Sequence, residues 1–156
     1  MIKLILTKPE KVNKVFLENL RKVKGGTLGI LSSKPFYSSQ KEFEMGCKNK
    51  SCLFIDTVSE SKGENVVFIN PSNLTGLSIA INQGIQGLGK NPYIIFDSLS
   101  NLAIRNNSEI LIKFISFILK KSLDWKSNLI LVLPDEKSNE KLISMIKQSA
   151  DKVEKK

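Results

Sequence analysis

The sequence predicts an α/β domain built on a mostly parallel sheet, and two observations carry this. Short apolar runs alternate along the chain with segments whose apolar residues recur at helical spacing, the order that a parallel sheet with crossover helices requires. The runs Tyr93–Phe96 and Leu129–Leu133 are apolar at both alternating sets of positions, as strands covered on both faces are. No internal repeat, low-complexity tract or linker divides the 156 residues, so a single domain over residues 1–156 is expected.

Taken in order, Ile2–Leu6 reads as the first strand. Thr7 and Glu10 fit a capping box with Pro9 in the first turn. Val12, Val15, Phe16, Leu20 and Val23 then follow at helical spacing until Gly25-Gly26 stops the helix. Thr27–Ser33 reads as the second strand. Ser39 and Glu42 fit another capping box, for a short helix that carries Phe43 inward and ends near Gly46. Ser51–Ser59 reads as the third strand, 60–64 as a surface loop and 65–69 as a short extended piece. Asn70-Pro71-Ser72-Asn73 is a helix-start signal. Leu74, Leu77, Ile81, Ile85 and Leu88 share one face of that helix, and Gly89 fits its stop. Tyr93–Phe96 is the fourth main strand. Ser108 is expected to cap a helix apolar nearly all round, with Lys120 and Lys121 where the dipole favours cations. Leu129–Leu133, ended by Pro134, is the fifth. Ser138 is expected to cap a last helix with Leu142, Ile143 and Ile146 inward, and 152–156 reads as a charged tail.

Composition excludes several classes. A hydrophobic content of 41% supports a packed core and argues against disorder. No apolar run approaches the roughly 20 residues that span a bilayer. The start, Met1–Thr7, is too short for a signal peptide and lacks a small-residue cleavage site, so a cytoplasmic protein with no membrane partner is expected. Histidine is absent, which excludes the usual Ser-His-Asp and Cys-His schemes. Cys47 and Cys52 have no second pair beside them. Structural or incidental thiols are expected there, with no metal site.

The formal charge of +9 is uneven. Residues 1–50 carry +7, residues 51–112 carry −2 and residues 113–156 carry +4. Such a balance attracts polyanions. Yet only Arg21 and Arg105 among the 24 basic residues are arginine, the residue suited to bidentate phosphate and base contacts. Nucleic acid is therefore the less favoured partner, and lysines that solvate exposed faces are the simpler reading.

Three stretches carry a resemblance. Asn70-Pro71-Ser72-Asn73-Leu74-Thr75-Gly76-Leu77-Ser78-Ile79-Ala80-Ile81 opens a helix. Ile94-Ile95-Phe96-Asp97-Ser98-Leu99-Ser100-Asn101-Leu102 is a buried strand that ends in an acid and a serine. Ser149-Ala150-Asp151-Lys152-Val153 follows the last helix. Together with Ser32–Tyr37, these resemble the archaeal RecA/KaiC-like ATPase superfamily, within it a branch of small proteins whose phosphate loop has decayed. The resemblance implies a three-layer αβα, RecA-like fold with strands ordered third, second, fourth, fifth, first. It places Asp97 at a magnesium-ligand position, with Ser98 beside it.

The departures from that family decide the functional expectation. The phosphate loop would lie at Thr7–Lys14, where no glycine frees backbone amides to wrap a phosphate, Pro9 removes a donor and Glu10 brings a negative charge. No Gly-x-x-x-x-Gly-Lys-Ser/Thr occurs in the chain. Only Lys11 and Lys14 offer a substitute cation, so if nucleotide binds at all the site is Lys11, Lys14, Asp97 and Ser98. No cofactor and no catalysis are expected. Asp97 reads instead as a strand-tip acid that caps its own loop with Ser98 and Ser100, and Asp56 with Glu60 is a weaker acid–base candidate. Tyr93 and Trp125 are candidates for base stacking, more simply read as a strand opener and a helix-end packer. The final strand of the family is replaced by Glu154-Lys155-Lys156, so the sheet is expected to be truncated there. That leaves Ile2, Lys3, Leu4, Ile5 and Leu6 as an open edge, inviting a homodimer or a protein partner. Lys34, Pro35, Phe36 and Tyr37, at the carboxyl end of a strand, form the other candidate surface.

Overall fold

The computed structural model describes residues 1–156. Seven strands run along the chain: β1 (Ile2–Thr7), β2 (Thr27–Leu31), β3 (Cys52–Asp56), β4 (Val66–Phe68), β5 (Tyr93–Phe96), β6 (Asn128–Pro134) and β7 (Lys152–Lys155). They form one sheet in the order β4-β3-β2-β5-β6-β1-β7, every neighbouring pair parallel. Six helices connect them: α1 (Val12–Lys22), α2 (Gln40–Gly46), α3 (Leu74–Gln86), α4 (Ser100–Arg105), α5 (Ser108–Asp124) and α6 (Glu140–Ser149).

Strand alternation sorts the core into two halves. Ile5, Leu31, Phe54, Ile95, Ile130 and Val132 face α1 and α2, where Val15, Phe16, Leu20 and Phe43 meet them. Leu4, Leu28, Ile30, Ile94, Phe96 and Leu131 face the other way, against Leu77 and Ile81 of α3, Leu102 of α4, Ile115 and Ile118 of α5 and Ile146 of α6. The fold is thus a three-layer αβα arrangement, and the five main strands lie in the order third, second, fourth, fifth, first. Each fully buried Leu, Ile or Phe contributes about 1.5–3 kcal/mol, so these two layers dominate stability. At Gly29 of β2 a Cβ would sit 2.8 Å from the Phe54 ring. The missing side chain makes room for the cluster of Phe16, Phe36, Phe43 and Phe54, whose neighbouring rings lie 5.1–5.9 Å apart.

The C-terminal end corrects the sequence reading. The sheet is not truncated, because the charged tail itself forms β7 and pairs with β1, Leu4 opposite Val153 and Ile5 opposite Glu154. Ile2, Leu4, Ile5 and Leu6 are therefore buried between β6 and β7 and form no open edge. Lys3 is taken too, its ammonium 3.1 Å from Glu154, which also pairs with Lys152. The Asp151 carboxylate accepts the Ile2 amide at 2.7 Å and fixes the register. Three of the four β7 residues are charged, so the strand owes its conformation to the β1 template and shows no apolar signature of its own.

Other boundaries also move. Asn107, not Ser108, caps α5 by accepting the Ile110 amide, and the caps expected of Thr7, Ser39 and Ser138 do not form; short 3₁₀ turns precede α1, α2 and α6 instead. Asn73 does cap α3, accepting from Gly76. Cys47 and Cys52 are joined as a disulfide, which corrects the expectation of free thiols. The turn between α2 and β3, with Asn49 at φ 68°, brings their Cα atoms to 5.9 Å, within the range a disulfide spans. Lys50 in that turn donates to the Leu20 carbonyl in the last turn of α1 and to that of Val23 just beyond it, and burial lowers its pKa.

Burial raises the Glu154 carboxyl, but its bonds to Lys3 and Lys152 outweigh that and hold it below the usual carboxylate value. A depressed acid stabilises the fold above the unfolded pKa and loses that contribution as pH falls. In urea unfolding, Glu154→Gln is expected to cost about 0.5–1 kcal/mol at neutral pH. That difference shrinks towards zero by about pH 2.5; a cost independent of pH would refute the pairing.

Candidate functional site

In an open α/β sheet, ligands bind beyond the carboxyl ends of strands whose connections leave to opposite faces. Here β2 is followed by α2 on one face and β5 by α4 and α5 on the other, so their tips form such a point. Asp97 stands there, directly after β5, 1% exposed.

Its carboxylate does not face outward. Oδ1 accepts the amides of Ser32 at 2.6 Å and Ser33 at 3.1 Å, and Oδ2 accepts Ser33 at 3.3 Å and Lys34 at 3.5 Å. Three successive amides thus form a nest of the kind that holds anions, filled by the protein's own acid. The loop that Asp97 caps follows β2, not its own strand, which corrects the expected local cap. Ser98 makes the local contact, pairing with the Ser100 hydroxyl and accepting the Ser100 amide, both at 3.2 Å.

Asp56, fully buried at the tip of β3, repeats the device. It accepts the amides of Phe36 and Val58 at 2.8 Å, that of Ser59 at 3.1 Å and the Ser61 hydroxyl at 2.7 Å. Glu60 is exposed and takes no part, so the two do not meet as an acid–base pair. Ser32 completes the network, its hydroxyl oxygen accepting the Asn101 and Leu102 amides at the start of α4, while the Asn101 side chain donates to Thr57 O at 2.7 Å. The tips of β2, β3 and β5 are tied together through the Ser32–Phe36 loop. No sequence signal marked Asp56 or Ser32 for this, because the donors are backbone amides far away in the chain.

The remaining candidates scatter. Phe36 is 1% exposed and belongs to the aromatic core, so the Lys34–Tyr37 surface is reduced to Lys34, Tyr37 and part of Pro35. Lys11 is exposed on the β1–α1 connection and Lys14 in the first turn of α1. There the Lys11 amide is already spent on Lys8 O at 2.9 Å, closing the 3₁₀ turn at Pro9–Lys11. Trp125 caps the end of α5 and donates to Asn82 at 3.0 Å, and Tyr93 opens β5 half-buried.

Two further features lie elsewhere. At the amino end of the sheet, a depression of about 800 Å³ is lined by Lys24, Lys90 and Lys126 with no acidic side chain. Gly84-Ile85-Gln86-Gly87-Leu88-Gly89-Lys90 in that region has phosphate-loop spacing, with Asn91 in the last position. It runs from helix to strand, however, and the Gly87 and Leu88 amides bond back to Gly84 and Ile85, so it forms no cradle. No protein-family model matches the chain, and no curated protein matches it.

Burial pushes the Asp97 carboxyl up, the three amides pull it part of the way back and the charge of Asp56 adds a smaller push, which leaves it raised to about 7. Between about pH 4 and pH 7 the folded protein holds a proton that the unfolded chain has released, so this group's contribution to stability falls as pH rises. Asp97→Asn removes the titration. Between pH 5 and pH 8 the advantage of wild type over the variant in urea unfolding should shrink by up to about 3 kcal/mol, at ~1.4 kcal/mol per unit below the raised pKa. A difference that stays constant across this range would show that Asp97 does not titrate there.

Proposed function

We propose that the chain is a non-catalytic RecA/KaiC-like module that acts by contacting other proteins, in a regulatory or scaffolding role. The observation that carries this reading is the fate of Asp97. The acid that would face a magnesium ion is turned into the fold, and its donors are the main chain of the neighbouring strand's loop. The β1–α1 connection supports the same reading. A glycine-free turn that contains Pro9 and Glu10 offers few amides to a phosphate and adds a repelling charge. Function then rests on surfaces, and the β1 edge is not among them, because β7 covers it.

Calorimetric titration with Mg-ATP tests the proposal. No binding tighter than about millimolar and no hydrolysis are expected. A micromolar dissociation constant that is lost in Lys11→Ala or Lys14→Ala would instead establish a nucleotide-binding protein with an unconventional phosphate loop.

The lysine-lined depression at the amino end favours a second reading, binding of a polyanion such as nucleic acid. If Lys24, Lys90 and Lys126 each meet a phosphate, log affinity for a generic duplex falls with log salt at a slope of about −2.7, and Lys90→Glu makes it shallower. Absence of binding at about 50 mM salt removes this reading.

A further inference from the structure

The two outer strands of the sheet are built on different terms. β7 carries Lys152 and Lys155, with Lys156 beyond. An antiparallel copy of β7 against itself would set Lys152 opposite Lys155, like charges that repel, as guarded edges do. β4 carries no charge: Val66, Val67 and Phe68 are apolar, and Val67 is 48% exposed.

The hydrogen bonding of β4 shows which groups are free. Asn65 O and Ile69 N–H bond to β3. By alternation Val67 bonds the same way, so the N–H and C=O of Val66 and Phe68 point out of the sheet, unpaired. A second β4, antiparallel about a two-fold axis through Val67, matches them fully. Val66 of each copy exchanges both bonds with Phe68 of the other, and the two Val67 residues face each other in the close, non-bonded pair. Flanking positions agree, since Glu64 falls opposite Asn70 and no like charges meet.

Side chains extend the match. Beside Val67, an apolar groove of about 510 Å³ runs between the sheet edge and α3, lined by Leu53, Val67, Ile69, Ile79 and Ala80. Ile79 is 52% exposed. Charge permits a second copy here. The chain carries +9, yet the exposed charges of residues 51–112, which hold β4 and α3, balance: Lys62, Lys90 and Arg105 against Glu60, Glu64 and Glu109, with Asp56 and Asp97 buried. The net positive charge lies in residues 1–50 and 113–156, and copies that meet through those parts repel.

We propose that β4 is a dimerisation edge, on which a second copy of this chain adds its own β4 to make one continuous sheet, with Val67 on the two-fold axis. This gives the protein-contact reading above a surface and a partner. It rests on that reading only for the meaning of the contact, since Mg-ATP binding would overturn the reading and leave the edge as it is.

Sedimentation of the full chain at about 100 μM, where dimers of micromolar affinity are populated, should show a dimer. Val67→Lys sets two lysines opposite one another and should raise the dissociation constant at least about tenfold; as Val67 is half exposed, the variant should keep the wild-type circular dichroism. Amide hydrogen exchange gives a readout without mutation: Val66 and Phe68 should be protected at about 100 μM and exchange freely at about 1 μM. A monomer at the higher concentration, a dimer that Val67→Lys leaves intact, or fast exchange at both amides would each overturn the proposal. A monomer whose Val66 and Phe68 amides become protected only when a different protein is added would assign the edge to that partner instead.

Discussion

An acid buried to 1% exposure and a loop with amides to satisfy are each costly alone, and in this chain each answers the other. The bond between Asp97 and the Ser32–Lys34 amides is the constraint on which the carboxyl end of the sheet depends. It ends β2 at Leu31, because the next amides turn from the ladder towards the carboxylate. It places the Ser32 hydroxyl over the first amides of α4, a helix that lacks a side-chain cap of its own. The balance is close. Burial alone would keep the acid neutral, the nest alone would keep it charged, and a carboxyl near 7 lies between the two.

Asp56 extends the same constraint into the hydrophobic core. By holding the Phe36 amide, it fixes where the loop turns inward, and Phe36 then packs 5.1 Å from Phe54 and 5.5 Å from Phe43. Gly29 clears the space in which Phe54 lies. Polar network and aromatic cluster are thus one cooperative unit spanning β2, β3, β5 and α2. A ligand that sought the crevice would have to break backbone hydrogen bonds and displace core aromatics together. Ser33, Lys34, Tyr37 and part of Pro35 remain for outside contact.

The layers, the central strand order and the core were legible because they follow from periodicity and long apolar runs. Phe43, Leu77, Ile81 and Ile146 fell on the inner faces that their spacing implied. What was not legible depends on partners distant in sequence. Lys152–Lys155 reads as a tail, and becomes a strand only because β1 offers a bare ladder and Glu154 meets Lys3, 151 residues away. Asp97 could be read as an acid at a strand tip. That it turns towards residues 32–34 depends on β2 lying beside β5, a tertiary fact without local trace. The expected caps at Thr7, Ser39 and Ser138 failed for a different reason: a 3₁₀ turn satisfies the first amides before any side chain is needed.

A sheet has three places at which to meet other molecules: the carboxyl-end crevice, the faces and the edges. Main-chain bonds seal the crevice between β2 and β5, and helices cover both faces. Lysines guard the β7 edge, and the Glu154 carboxylate neutralises only part of their charge. The remaining place is β4, three apolar residues with four backbone groups turned outward, beside a helix that exposes Ile79. Edge strands that are long and flat invite uncontrolled association. A strand of three residues limits the contact to a few bonds, so it needs the groove against α3 to gain area. That requirement is selective, since a partner must supply both an extended strand and an apolar surface beside it. The same chain, turned through a two-fold axis, supplies both.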